Sequence, residues 1–253
     1  MKNNHMQAIY ILWLRQLKRY LRSRARIVGS LGQPLLFLVA LGFGFGPIYQ
    51  KAGGGNYIQF LAPGVIAMGV LFTAIFSGIE VIWDRQFGFL KETLVAPVSR
   101  LQIMLGRTLG GATVATIQGL IVLIISTLVG FRPVNPWMIP LALLAIFLIA
   151  LLFTALGTAI ASVLEDMQGF QLIMNFLVMP LFFLSGSLFP LDSAPKILGI
   201  IARFDPLTYG IDALRGTLIN AAHIGVAHDF AVLTICVAIF LAIGSYLFSK
   251  IEI

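Results

Sequence analysis

Apolar residues along this chain gather into six long runs, at about residues 27–47, 58–82, 108–131, 138–163, 170–189 and 230–248. Charged residues, prolines and glycines collect in the short stretches between them. A helix needs about 20 residues to cross a bilayer, so each run predicts one crossing. The fold class expected is an all-α integral membrane protein with six transmembrane helices. The first run is rich in glycine, and its Gly42 and Gly46 stand in the GxxxG spacing that lets helices approach closely. That pair reads either as a contact between copies or as packing within the chain. The third run looks featureless, and the fifth should be broken by Pro180 and Gly186.

Ahead of the first run, residues 6–26 follow a helical period. Ile9, Trp13, Leu17, Tyr20 and Leu21 fall on one side, with Arg15, Lys18, Arg19, Arg22 and Arg26 on the other. This predicts an interfacial helix in the headgroup plane, its cations on anionic lipid. It either borders a partner or serves only to orient the first span.

The longest polar interruption is residues 83–107, which should lie outside the hydrocarbon. Phe87, Leu90 and Leu94 recur at helical spacing and predict a short amphipathic helix that Pro97 stops. Ser99 followed by Gln102 has the form of a capping box, so a new helix starts there and runs into the third span. Glu80 sits just before this stretch, near the end of the second run. An acid at such a depth is a functional candidate by default. It has two readings: interfacial anchoring or pairing with Arg85, or a gating or coupling role.

Residues 190–229 predict two more short helices. One begins near Pro195 behind a cap at Asp192 or Ser193, and the other covers about residues 208–218 with Asp212 and Arg215 spaced to pair. They either dip into the outer leaflet as re-entrant helices covered by protein or lie as surface helices.

Composition supports the membrane reading. Hydrophobic residues make up 59% of 253, charged residues 11%, and mean hydropathy is +0.97, where a soluble domain averages about 25% charged. The net charge of +7 is unevenly spread: seven of the seventeen Lys and Arg residues precede Ile27, four lie in 83–107, and Lys250 adds one near the end. Basic residues beside span ends mark the cytoplasmic side, so both termini and residues 83–107 are expected inside, in a multi-pass protein of a cell membrane. No nucleic-acid partner is implied. The lone Cys236 allows no internal disulfide, and no short cleavable signal pattern precedes the first span, which should remain in the mature chain.

Candidate chemistry is sparse. There is no P-loop, nucleophile elbow, HExxH or paired-Cys motif. His223, His228 and Asp229 read as solvated loop groups rather than metal ligands. Spans without repeated midplane acids or histidines do not fit an ion-coupled carrier, so that reading stays a minor alternative beside a non-transporting membrane scaffold. The chain is expected to be no enzyme and to bind no cofactor.

Residues 84–94 read DRQFGFLKETL and are followed by Pro97-Val98-Ser99-Arg100. Residues 184–191 read LSGSLFPL, with Pro195 beyond them, then Asp205-Pro206-Leu207-Thr208-Tyr209 and Asp212-Ala213-Leu214-Arg215. Together these resemble, over nearly the whole chain, the permeases of ABC-2 type exporters. Phe87 and Phe89 make the first loop more apolar than that family's common acidic version. The resemblance implies one transmembrane domain over residues 1–253, with an interfacial helix (1–26), a coupling loop (83–107) and an external gate region (190–229). Two such permeases, copies or homologues, would form the pathway, and two separate ATPase subunits would bind the ATP and Mg. Coupling would fall to Arg85, Phe87, Gly88, Leu90, Lys91, Glu92, Leu94, Pro97 and Arg100. The gate would comprise Gly186, Phe189, Pro190, Pro195, Asp205, Pro206, Tyr209, Asp212 and Arg215. A Phe- and Leu-rich chain with few charges favours amphipathic or hydrophobic cargo such as drugs, with a lipid-linked glycan or polysaccharide as the alternative.

Overall fold

The computed structural model describes residues 3–53, 55–191 and 194–251. They form eleven α-helices: α1 Asn3–Arg22, α2 Arg24–Lys51, α3 Tyr57–Phe76, α4 Ile79–Gln86, α5 Phe89–Val95, α6 Arg100–Val129, α7 Ile139–Val163, α8 Met167–Leu184, α9 Lys196–Phe204, α10 Pro206–Ile219 and α11 Val226–Ser249. A 3-10 turn, Pro136–Met138, precedes α7. Six stretches are long and apolar enough to cross a membrane: Arg24–Lys51, Tyr57–Gln86, Arg100–Val129, Pro136–Val163, Met167–Leu184 and Val226–Ser249. The protein is an all-α, multi-pass membrane protein, as the hydropathy pattern requires.

The second span sits at the centre. Every residue of α3 from Leu61 to Leu71 is buried, enclosed by α2, α6, α7 and α10. The outer spans keep apolar faces open, with Leu36 and Phe43 on α2, Leu172 and Phe176 on α8, and Ile235 on α11 exposed. Such faces suit lipid or a second membrane subunit, because the helix has already satisfied its own backbone.

Several boundaries differ from the sequence expectation. The second span does not end at residue 82 but continues as α4 to Gln86 after a break at Ser77 and Gly78. There the helix meets α7 so closely that a Cβ on Gly78 would collide with the carbonyl of Gly157, and one on Gly157 with the carbonyl of Ile75. The third span begins eight residues earlier than expected, at Arg100. It is far from featureless, since its Gly106 and Gly110 form a flat strip that receives α1. Built Cβ atoms there would fall 2.9 Å from Leu12 Cβ and 2.7 Å from Gln16 Cβ. Pro180 does not break the fifth span: it lies inside a continuous α8, and the turn comes after Leu184, where Gly186 has φ +74°.

The N-terminal helix ends at Arg22, and Arg24 and Arg26 belong to α2. Its buried side is set by α6 rather than by lipid. Trp13 Nε1 donates to Thr113 Oγ1 at 2.9 Å and the Tyr20 hydroxyl to Gln118 Oε1 at 2.8 Å, while Leu21, expected on the apolar side, is exposed. Gly42 packs within the chain against Ile58, and nothing lies within 4 Å of a Cβ built on Gly46. The expected cap at Asp192 or Ser193 lies outside the described residues.

Candidate functional site

One turn of α4 gathers most of the ion pairs on the face that carries both ends of the chain. Glu80 and Asp84 stand four residues apart, so they share one side of the helix, and each is 4% exposed. Arg26 of α2 reaches Glu80 Oε1 at 2.8 Å and Arg19 of α1 lies 3.7 Å from its Oε2. Arg15 of α1 binds Asp84 Oδ1 at 3.0 Å, and Arg107 of α6 closes on Asp84 Oδ2 at 2.5 Å. Two buried carboxylates thus join four helices. Four arginines leave surplus positive charge, part of which rests on ring faces: Arg15 stands 5.7 Å from the Phe89 ring centre and Arg19 5.2 Å from that of Trp83.

This corrects the pairing of Glu80 with Arg85. Arg85 instead donates to the carbonyls of Ser162 at 2.8 Å and Leu164 at 3.1 Å, capping the C-terminal end of α7. Sequence reading also missed Arg15, Arg26 and Arg107 as site residues. The available signal was two acids at i,i+4 beside a run too apolar to solvate them, which demands nearby cations.

Beyond α4 the chain turns sharply. Gly88, at φ +80°, caps the seven-residue α5; a side chain there would occupy a left-handed conformation that favours glycine. Leu90 is buried, Leu94 half-buried, and Phe87, Lys91, Glu92 and Pro97 are exposed. The expected apolar stripe is therefore split: Leu90 anchors the helix, while Phe87, 70% exposed, points away from the core. Ser99 and Gln102 form the expected capping box at the start of α6. Arg100 donates to the carbonyls of Ser249 and Ile251, tying this elbow to the end of α11.

On the opposite face α9 and α10 form a helical hairpin. The carbonyl of Leu218, near the end of α10, accepts from the amide of Val134 in the α6–α7 connection. Gly210, eight residues earlier, packs on Ile149 of α7. Ile149 is ten residues along α7, about 15 Å at helical rise, so the α9–α10 turn is the deepest part of the hairpin. Asp205 forms that turn and its Oδ1 accepts from the Leu207 amide at 2.8 Å, with Pro206 as the first residue of α10. The Tyr209 hydroxyl donates to the Arg203 carbonyl at 2.8 Å and braces the two helices. α10 is mostly buried, whereas Ile197, Ile200 and Phe204 leave α9 with an exposed apolar face.

Asp212 and Arg215 do not form the expected ion pair. The Asp212 carboxylate accepts backbone amides of His223 (2.8 Å) and Ile224 (2.7 Å), holding the loop before α11. Arg215 lies 4.0 Å from the Phe60 ring centre and donates to the Gly186 carbonyl at 2.8 Å. Gly186 thereby belongs to the same cluster. Phe189 and Pro190 are half-buried beside it and Pro195 is exposed. Among the described residues no group of three metal-ligating side chains occurs; the His228 ring lies 5.8 Å from that of Tyr209 instead.

Burial pushes the Asp205 carboxyl up to about 7, against the Leu207 amide, which lowers it. The folded chain then holds a proton here that the unfolded chain releases near pH 4, so this group's contribution to stability falls as pH rises between those values. Asn keeps the capping bond without the charge. Asp205→Asn should therefore melt above the parent in detergent at pH 8, with the gap closing near pH 4. A gap independent of pH would contradict this.

A model of the ABC-2 type transporter family matches residues 7–219. The chain is similar to "Nodulation protein J" of Rhizobium leguminosarum bv. trifolii, 30% identical over 233 residues, covering 91% of this chain and 86% of that one. It is also similar to "Putative transport permease ycf38" of Pyropia yezoensis, 32% identical over 216 residues, covering 83% and 73% respectively.

Proposed function

The chain belongs to the ABC-2 type transporter family, matched over residues 7–219, and from that premise we propose that it is the membrane subunit of an ATP-driven exporter. Two copies, or one copy and a homologue, enclose the pathway. Separate ATPase subunits carry the nucleotide and magnesium and dock on α5, on the cytoplasmic side of a plasma membrane. The concentration of Lys and Arg on the face with α1, α5 and the end of α11 supports that orientation. On the other side, the α9–α10 hairpin is the re-entrant gate.

The observation that carries this reading is the mechanical continuity of the inner face. Phe87 in the turn before α5, and Lys91, Glu92 and Val95 on it, are exposed to a partner while Leu90 seats the helix. Residues 96–99 join its far end to the 30-residue α6, which Ser99 caps. α1 and α2 are pinned to α4 through Asp84 and Glu80. A push on α5 therefore reaches the second and third spans through short, capped connections, which is what coupling to an external motor requires.

The cargo is amphipathic or hydrophobic, and a drug-like amphiphile is the first choice to test. The chain is co-reconstituted with its ATP-binding subunit in sealed vesicles, with ATP on the docking side. Uphill movement of a fluorescent cationic amphiphile or of a lipid-linked oligosaccharide is expected only when both polypeptides and ATP are present. Uphill pumping by this chain alone, driven by an ion gradient, would overturn the reading.

A further inference from the structure

On the face of the hairpin, a cavity of about 530 Å³ lies between α2, α3, the turn after α8, and α10. That volume is in the range of small-molecule sites. Its rim includes the exposed loop residues Ala221 and Ala222, so it opens at the protein surface. Tyr49 and Phe60 supply aromatic walls, their ring centres 5.8 Å apart.

Two buried polar atoms in the lining of this cavity, Arg215 Nε and Thr208 Oγ1, have no partner. Arg215 is half-buried and makes no ion pair among the described residues, while the Asp212 carboxylate, three residues earlier on α10, acts on it electrostatically. One face of its guanidinium is taken by Phe60 and one amino group by the Gly186 carbonyl, while Nε has no partner. The Thr208 hydroxyl, on a residue 4% exposed, is likewise unpartnered. Asn56, exposed at the rim, spends its oxygen on the Ile58 amide and turns its NH₂ to the cavity mouth or solvent. The one acid in the lining, Asp212, is already occupied by backbone amides of the 223–225 loop. Buried donors are costly without acceptors, and an anionic group with several oxygens satisfies Arg215 Nε and the Thr208 hydroxyl together.

We propose that this cavity binds the acidic, oxygen-rich headgroup of an amphiphile, with Arg215 as its charge partner and Thr208 and Asn56 as hydrogen-bond donors. On the exporter reading this is a site on the exit side; the binding itself needs neither ATP nor the motor. The rings of Tyr49 and Phe60 suit a sugar face or the first methylenes of the tail. Two sources share that chemistry: an acidic lipid of the surrounding leaflet and an acidic glycoside or similar cargo on its way out.

The test uses the full chain in phosphatidylcholine nanodiscs, with Cys236→Ser removing the native thiol and Ala222→Cys placing a reporter at the rim. The probes are octyl glucuronide and octyl glucoside, which differ only in a carboxylate. Glucuronide is expected to slow labelling of the reporter by a membrane-impermeant thiol reagent at least fivefold, and glucoside less than twofold. Because Arg215 also holds the Gly186 turn, the decisive variants are elsewhere. Thr208→Val should raise the half-protecting concentration about threefold to tenfold, the loss expected for one hydrogen bond. Asn56→Asp keeps the cap on α3, reverses the sign at the donor position and should abolish the preference for the acid. If phosphatidylglycerol in the nanodisc slows labelling with no glycoside added, the occupant is resident lipid; if only the glucuronide does so, it is a diffusing amphiphile. Equal protection by both glycosides, or none by glycoside or lipid, overturns the proposal. Since no ATPase is present, that result would leave the export reading untouched, and a failure of ATP-driven export would leave this one untouched.

Discussion

Arg107→Ala is expected to destabilise the protein by about 3–5 kcal/mol, the cost of stripping one partner from a buried ion pair. The pair is enclosed on both sides, with side-chain exposure of 3% for Arg107 and 6% for Asp84. Once Arg107 is gone, Asp84 keeps only Arg15, whose side chain is 40% exposed and holds the other carboxylate oxygen. Arg15→Ala should therefore cost far less, about 1 kcal/mol or under, as for solvent-facing pairs. The measurement is the melting temperature and the monodisperse fraction of each variant in detergent. Replacing both partners at once, as Asp84→Leu with Arg107→Met, should recover most of the loss, because the expense lies in the orphaned charge rather than in the missing attraction. If Arg107→Ala melts with Arg15→Ala, the buried pair does not hold α4 to α6.

The fold was legible in this sequence to the extent that solvent imposes it. Hydrocarbon demands long apolar helices, so six crossings and their order followed from hydropathy, and the Ser99–Gln102 box fixed the start of α6 because two local hydrogen bonds define it. What escaped was set by partners distant in sequence. Glu80 was read against its neighbour Arg85, but the cations that serve it come from α1 and α2, more than fifty residues earlier. Asp212 and Arg215 have the spacing of a helical pair, yet backbone amides of the 223–225 loop outcompete the guanidinium for the carboxylate, and Arg215 turns to Phe60 and Gly186. Gly106 and Gly110 have the same spacing as Gly42 and Gly46, yet sequence reading passed them over. Their meaning depended on α1 being close, and an amphipathic helix with five cations on one side resembles a lipid-surface helix until α6 is seen to cover it.

Leu90→Asp is the substitution expected to separate ATP hydrolysis from transport, lowering the cargo moved per ATP hydrolysed by at least tenfold. A seven-residue helix has too few hydrogen bonds to persist alone in water, so α5 depends on its anchor. Leu90, 2% exposed, is that anchor, and burying it contributes about 1.5–3 kcal/mol. A carboxylate in the same place loses that apolar contact, and Arg85, which lines the same cavity, already spends its amino groups on the carbonyls of Ser162 and Leu164, so the helix is driven off its seat. The spans themselves should be spared, since α4 and α6 keep the Asp84–Arg107 pair and the capping box, so surface expression and melting of the core should change little. Gly88→Pro should have a similar effect by another route. Proline holds φ near −65°, while residue 88 sits at +80° and its amide donates to the Arg85 carbonyl. Lys91→Ala changes an exposed side chain without moving the helix, so any loss there reports contact with the motor rather than the seating of α5. Were Leu90→Asp to export with an unchanged ratio of cargo to ATP, force would have to enter the membrane domain elsewhere, and α1, bolted to the same acids through Arg15 and Arg19, would be the remaining route.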